Sequence, residues 1–219
     1  MNSRRYSWLL VFLLAGCHTQ KYSDSTGMLI VPGLGISNVV AVGMTPSEMN
    51  SHVTDLQYQV RPNRWIPSKE PKWHTASIPS LGIVWSGPYT GMHAPYFGYI
   101  NFYVAPNTNM GIAPFRGYLS SGLDFSTTNA ITLSEVTRLY GEPRKTASLD
   151  ATFIEMLATG VSICVLAPDK KTKLLYYPAD GIMFDFKEDI LTRVAVYPKR
   201  IVEQAGPAYP PQGVGPADP

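Results

Sequence analysis

Cysteine and histidine are scarce in this sequence. Only two of its 219 residues are cysteine, Cys17 and Cys164, and four are histidine. Two cysteines exclude a disulfide-dense fold. No two histidines stand at the His-x-x-x-His spacing of a helical zinc site, so a metal site would need ligands from distant loops. We therefore predict no metal site and no internal disulfide.

Charge of either sign is also low. Charged residues make up 16% of the chain, with 18 Lys and Arg against 16 Asp and Glu. Arg4 and Arg5 lie in a segment that we expect to be removed, and without them the basic and acidic residues are equal in number. The mature chain is then close to neutral, so we expect no nucleic-acid partner.

The only candidate for a membrane-directed segment lies at the N-terminus. Its apolar stretch from Trp8 to Gly16 is too short to cross a bilayer core, which requires about 20 apolar residues. With Arg4 and Arg5 before it, it has the length and charge of a secretory signal. We therefore predict a signal peptide over residues 1–16.

The end of this signal, Leu14-Ala15-Gly16-Cys17, resembles the lipobox of bacterial lipoproteins. The resemblance implies that the Cys17 thiol receives a diacylglycerol, that the signal is cut before it, and that the new amine is acylated. Residues 17–27 would then be the lipidated N-terminus and its tether, and these covalent lipids would be the only cofactor. The alternative is an ordinary signal peptide with an incidental cysteine.

The residue after the cysteine bears on the location of the anchor. In lipoproteins of enteric bacteria, an aspartate at this position resembles an inner-membrane retention signal, and this chain has His18 instead. We therefore predict a chain that is lipid-anchored in the outer membrane and faces the periplasm. Its partners would be the membrane, through the anchor, and an envelope protein.

The mature part contains an apparent repeat. Gly35 and Gly122 are each followed at the same distance by a Thr-x-Ser-Glu box, which begins at Thr45 in the first case and at Thr132 in the second. In such a box the Thr and Glu side chains cap the first backbone N–H groups of a helix. We predict an α+β fold of two tandem related units, each a short helix or helices packed on an antiparallel sheet. The alternative is a chance match between unrelated segments.

The two units are assigned to residues 28–112 and 121–202, followed by a disordered Pro/Gly-rich tail over 203–219. Alternation of apolar residues predicts half-buried antiparallel strands. It occurs in four places, which are Leu81–Trp85, Ile100–Val104, Ile182–Phe186 and Val194–Val196. Residues 149–158 are compatible with a second helix and residues 161–166 with a strand, although pattern alone does not separate the two there.

Three short motifs carry a family resemblance. Gly43-Met44-Thr45, Gly141-Glu142-Pro143 and Gly181-Ile182-Met183-Phe184 are similar to motifs of the SmpA/OmlA (BamE-like) group of small outer-membrane lipoproteins. The same layout resembles the repeats of β-lactamase-inhibitor-protein-like folds. The resemblance implies short helices on an antiparallel sheet, duplicated in tandem, and it concerns caps and turns more than function.

No constellation of catalytic residues stands out. Cys164 lies in an apolar run, where burial would raise its pKa and leave a core cysteine rather than a nucleophile. Asp150 with Glu155, or Asp185 with Glu188, could be considered an acid–base pair, but we expect these carboxylates to lie on solvated faces. We therefore predict a chain without catalytic residues, which is not an enzyme.

An aromatic segment is the candidate partner-binding surface. Tyrosine and methionine are enriched at interfaces, and the segment offers six candidate residues, Tyr89, Met92, His93, Tyr96, Phe97 and Tyr99. The alternative is a long hairpin that folds these side chains onto its own sheet.

Three functions are compatible with these observations. The first is a non-catalytic, membrane-anchored envelope lipoprotein that acts through protein–protein contacts. The alternative is a small-ligand receptor or an enzyme with a pocket between the two units, with His74 or Cys164 as the expected participants. The third is a passive structural lipoprotein with no single partner.

Overall fold

Both capping boxes are present and each begins a short helix. In the computed structural model, the described residues are 21–37, 39–62, 72–88, 99–148, 161–167 and 171–199. Helix α1 spans Pro46–His52 and α2 spans Leu133–Tyr140. The Glu135 carboxylate accepts a hydrogen bond from the Thr132 backbone N–H at 2.7 Å, and the Thr132 hydroxyl accepts one from the Glu135 backbone N–H at 3.4 Å. The box predicted at α2 is thereby confirmed, and Gly141 caps the helix end.

The same contacts recur at α1 and affect the acidity of both glutamates. Glu48 accepts from Thr45 N–H at 2.7 Å. Hydrogen bonds from Thr45 and Thr132 lower the pKa of Glu48 and of Glu135 below its ordinary value of 4.5. Because the folded-state pKa is lowered, this capping contribution is present above the unfolded pKa and is lost as pH falls through the folded one.

Strands dominate the described part of the chain. Thirteen are described there, and nine of them form one sheet in the order β4-β5-β6-β7-β13-β12-β11-β10-β9. The strands are β1 Leu29–Ile30, β2 Gly35–Ile36, β3 Val40–Ala41, β4 Gln57–Pro62, β5 Lys72–Ile78, β6 Ile83–Pro88, β7 Tyr99–Tyr103, β8 Tyr118–Leu119, β9 Lys145–Ser148, β10 Ile163–Leu166, β11 Thr172–Tyr177, β12 Ile182–Lys187 and β13 Ile190–Val196.

The prediction of two tandem α+β units, each with its own helix-covered sheet, is wrong. Strands β7 and β13 pair antiparallel, with Phe102 opposite Val194 and Ile100 opposite Val196. This ladder joins strands from residues 28–112 and 121–202 into one nine-stranded sheet, and the fold is mainly β. The reason is physical: an isolated four-stranded half would leave β7 as an unpaired edge, and pairing it with β13 satisfies that row of backbone groups.

One face of the sheet carries the main core. Side chains of β6, β7, β12 and β13 pack there against Met49 of α1 and Val136 of α2. The three aromatic rings Phe102, Phe115 and Phe125 stack edge to face in sequence, with centroids 5.2 and 6.0 Å apart. The strands that alternation predicted around Ile100, Ile182 and Val194 are confirmed, but the prediction that they are half-buried is wrong, because consecutive residues on both faces of these strands are buried.

Other predicted segments have mixed outcomes. The strand expected over residues 161–166 is confirmed as β10. The signal at 1–16, the second helix at 149–158 and the tail at 203–219 lie outside the described residues. The connection between β12 and β13 is a two-residue turn in which Glu188 and Asp189 both have positive φ, 52° and 64°, as a hairpin of this length favours.

Three 3₁₀ turns end at glycines with left-handed backbone. Gly82, Gly111 and Gly181 have φ of 74°, 64° and 68°. The first and last belong to a recurring Pro-x-x-Gly-Ile motif, at Pro79–Ile83 and Pro178–Ile182, which connects β5 to β6 and β11 to β12. The motif sets the hairpin register, because the residues flanking each turn face each other.

Alanine at these three glycines should have unequal effects on stability. A Cβ at Gly82 would lie 2.5 Å from Phe115 N, and one at Gly181 2.5 Å from Tyr197 O, whereas one at Gly111 has nothing within 4 Å. We expect Gly111→Ala to cost about 1 kcal/mol for its φ alone. Gly82→Ala and Gly181→Ala should cost about 3 kcal/mol or more, because backbone must also move. Urea unfolding measures the three, and equal losses would contradict the contact argument.

Candidate functional site

The face of the sheet opposite the two helices holds a mostly buried ion pair. Asp185 of β12 and Arg193 of β13 lie directly opposite each other across the hairpin. The Arg193 guanidinium donates to Asp185 Oδ2. Asp185 is only 8% exposed. The pair therefore sits in a sheet interior, where a carboxylate requires a partner.

The residues around this pair are polar and aromatic. The Tyr103 side chain forms a hydrogen bond with Arg193. Tyr176 lies close enough to Asp185 and Arg193 to interact electrostatically with both charges. Asn101, 3% exposed, donates to the Val84 carbonyl at 3.3 Å. Among the described residues, Asn101 Oδ1 and Asp185 Oδ1 are buried without a hydrogen-bond partner. This face is a second core with a polar centre, not an open surface.

The electrostatics of the cluster do not favour acid–base chemistry. Burial raises the pKa of the Asp185 carboxyl above its ordinary value, and the Arg193 charge opposes that shift. Burial also raises the pKa of the Tyr176 hydroxyl, which keeps the phenol neutral. The expectation that Asp185 and Glu188 both lie on a solvated face is wrong for Asp185. Glu188 is exposed and pairs with Lys171 at 2.8 Å, whereas Asp150 and Glu155 lie outside the described residues.

Cys164 is half-buried in β10 and packs against the main core. Burial raises the pKa of its thiol, and the nearby Lys173 charge only partly offsets this. A thiol with a raised pKa carries little thiolate at neutral pH and is a poor nucleophile. The apolar flanks predicted a buried core cysteine, and Cys164 is instead partly buried at the margin of the core.

The structure has a paired strand ladder where the alternative function placed a pocket between two units. The two ranges join along the β7–β13 ladder, whose side chains Phe102 and Val194 are fully buried. His74, a candidate participant, lies in β5 with its backbone opposite Val60 and Gly87. In the described chain, no three His, Cys, Asp or Glu side chains gather where they could hold a metal ion.

Of the six candidate partner-binding residues, Tyr99 alone lies within the described part of the chain. It begins β7, is half-buried, and faces Ser86 of β6. The other five, Tyr89, Met92, His93, Tyr96 and Phe97, lie outside the described residues. They belong to the ten-residue connection that leaves β6 after Pro88 and enters β7 at Tyr99.

The N-terminal end of the described chain is attached to the fold at Tyr22. The Tyr22 backbone N–H donates to the His52 carbonyl at 2.8 Å, and Tyr22 forms a parallel bridge with Val53. Three residues on, Ser25 is buried and its hydroxyl accepts from Arg116 N–H at 2.7 Å. Cys17, the candidate lipidation site, lies outside the described residues.

A shallow hollow of about 290 Å³ opens beside this attachment. Its lining is mainly apolar and includes Tyr22, Met28, Leu29, Val31, Ile36 and Val39. The sequence offered one signal for it, the apolar residues that follow the polar stretch Ser23–Gly27, and the whole lining lies between Tyr22 and Val39.

Comparison with known protein families, with characterised proteins and with solved structures finds no match to this chain. Within the described ranges, none of the helices is both long and apolar enough to cross a membrane.

Proposed function

We propose that this chain is an envelope lipoprotein, acylated at Cys17 and anchored in the outer membrane on its periplasmic side. It acts without catalysis, through protein–protein contacts made by the aromatic segment from Tyr89 to Tyr99. The N-terminal sequence, with its basic start, short apolar run and Leu-Ala-Gly-Cys ending, supports the anchor. The raised thiol pKa of Cys164 and the charge pairing of Asp185 support the absence of catalysis.

The observation that carries the contact proposal is the placement of the two segments on the sheet. Tyr22 joins the fold beside Val53, and Asp55 then accepts hydrogen bonds from Ser80 in the turn between β5 and β6. The tether therefore enters at the end of the sheet where this turn lies.

The aromatic segment leaves the sheet at the other end. Strands β6 and β7 run from the Ile83–Phe102 pair near the turn to the Ser86–Tyr99 pair away from it. A six-residue strand spans about 17 Å between these ends. The end of the sheet at which β6 ends with Pro88 and β7 begins with Tyr99 is therefore the end away from Tyr22, which supports a contact with a neighbouring envelope protein there.

Site-specific photocrosslinking in intact cells tests this proposal. A photoreactive amino acid at Tyr96 should give a discrete adduct with another envelope protein, and Tyr89→Ala together with Phe97→Ala should reduce that adduct about thirtyfold or more. The reason is that aromatic anchors carry most of the binding energy of an interface, about 2 kcal/mol or more each.

The matched control uses an exposed apolar residue elsewhere. Leu166 is 36% exposed near the far edge of the sheet, and the photoreactive residue there should give no such adduct. The midpoint of thermal unfolding should be unchanged in the alanine variant. An adduct of equal yield at both positions, or one that survives the alanine changes, would rule out the aromatic segment as the contact.

A further inference from the structure

An apolar patch surrounds the hollow next to the tether. Tyr22 is 42% exposed and Leu29 48% exposed, and both line the hollow. Tyr118, 40% exposed, is the direct parallel partner of Leu29 in the pairing of β8 with β1. In a parallel pair, residues opposite each other project to the same side. Three of the large exposed apolar side chains in the described chain therefore share one surface, here named the tether patch.

The length of chain between the anchor and the fold limits where this surface can lie. Cys17 and Tyr22 are five residues apart, and an extended chain of that length reaches at most about 18 Å. Tyr22 is held on the fold, because its backbone N–H donates a hydrogen bond to the His52 carbonyl. If acyl chains on Cys17 sit in a leaflet, Tyr22 must lie within that reach of the lipid headgroups.

We propose that the tether patch rests on the phospholipid bilayer, with Tyr22, Leu29 and Tyr118 inserted at the headgroup level. This inference rests on the proposed acylation of Cys17. Tyrosine favours the membrane interface because its ring is apolar and its hydroxyl stays hydrated. With the tether patch on the bilayer, the domain is held in one orientation relative to the membrane.

The charges beside the patch indicate which force holds it. Lys21 precedes Tyr22, and Asp24, which also lies exposed there, accepts from Thr26 N–H at 2.9 Å. These opposite charges offset each other, so apolar burial rather than attraction to anionic lipid drives the contact. Contact should therefore be similar on neutral and on anionic vesicles.

Lipid-contact fluorescence on the acylated, full-length chain tests the proposal. Thr26 lines the hollow and is exposed, so Thr26→Cys in a Cys164→Ser background carries an environment-sensitive dye without altering the patch. In vesicles of phosphatidylethanolamine and phosphatidylglycerol, headgroup-level quenchers should quench this dye several-fold more than the same dye at Leu166→Cys. Replacing Leu29 and Tyr118 by Ser should remove the difference, whereas Leu166→Ser should leave it intact.

Each outcome separates this inference from the proposed function. If mass spectrometry shows acylated Cys17 but the Thr26 dye stays in water, the bilayer contact is wrong and the anchor stands. An unmodified Cys17 in cells would overturn the anchor itself. If the dye is shielded in intact cells but not on protein-free vesicles, the tether patch faces a protein, and the bilayer proposal is overturned.

Discussion

A Cys17→Ser chain is expected to lose all incorporation of radiolabelled palmitate and to keep its first sixteen residues. Serine has no thiol to form the thioether, and the resemblance to lipoproteins implies that cleavage follows lipid transfer. The effect is all-or-none, because the Cys17 thiol is the proposed acceptor. Burial of each acyl CH₂ contributes about 0.8 kcal/mol, so several chains on one residue give stable anchoring.

The second cysteine provides the matched control. Cys164→Ser should retain full palmitate labelling, since Cys164 is half-buried in β10 and its raised pKa keeps it a thiol. Mass spectrometry of the N-terminal peptide checks both variants. Label on the Cys17→Ser chain, or a wild-type peptide that begins at Met1 with an unmodified cysteine, would contradict the anchor.

Arg193→Met is expected to destabilise the fold by about 3 kcal/mol at neutral pH. The change leaves the carboxylate of Asp185 in the sheet interior without its cation, and removing one member of a buried pair costs about 3–5 kcal/mol. The low end applies because the Arg193 side chain is 28% exposed. Urea unfolding monitored by circular dichroism measures the loss.

The stability that Arg193→Met loses should depend on pH. Burial already raises the Asp185 pKa above its ordinary value of 3.8, and loss of Arg193 removes the charge that opposes this shift. The folded state of the variant then binds more protons than the unfolded state, so its stability falls as pH rises from about 4 through the raised pKa. Arg193→Met should therefore lose less stability at pH 5 than at pH 8.

Two further variants test the cause. In Asp185→Leu/Arg193→Met both charges are gone, and most of the lost stability should return, since apolar replacement of a buried pair is often neutral or better. Lys171→Met breaks the exposed pair with Glu188, whose side chains are 64% and 61% exposed. It should cost less than about 1 kcal/mol. A cost at Lys171 equal to that at Arg193 would contradict the role of burial.

Features that depend on residues close together in the sequence were predicted correctly, whereas features that depend on distant segments were not. The Thr132–Glu135 cap joins residues three apart, so the tetrapeptide alone specifies it, and the structure confirms it. Apolar alternation likewise located the strands around Ile100 and Ile182. The recurring Pro-x-x-Gly-Ile motif was present in the sequence but was missed, and it is the more informative repeat, because it sets the register of two hairpins.

The pairing of Asp185 with Arg193 was not open to prediction from the hairpin alone. A two-residue turn after Lys187 would by itself place Thr192 opposite Asp185, and the register shift between Asp185 and Phe186 places Arg193 there instead. The hairpin also does not indicate that this second face of the sheet is buried, because that depends on neighbouring strands far along the chain.

The amino-acid sequence by itself determined the helix caps and the positions of the alternating strands, because each depends on residues within one turn or one strand. It also carries the whole case for acylation at Cys17. The tertiary structure alone decided that β7 pairs with β13 to make one sheet, since backbone pairing between distant strands leaves no local signature. It likewise decided that Tyr22, Leu29 and Tyr118 share one surface, because the β1–β8 pairing joins segments about ninety residues apart.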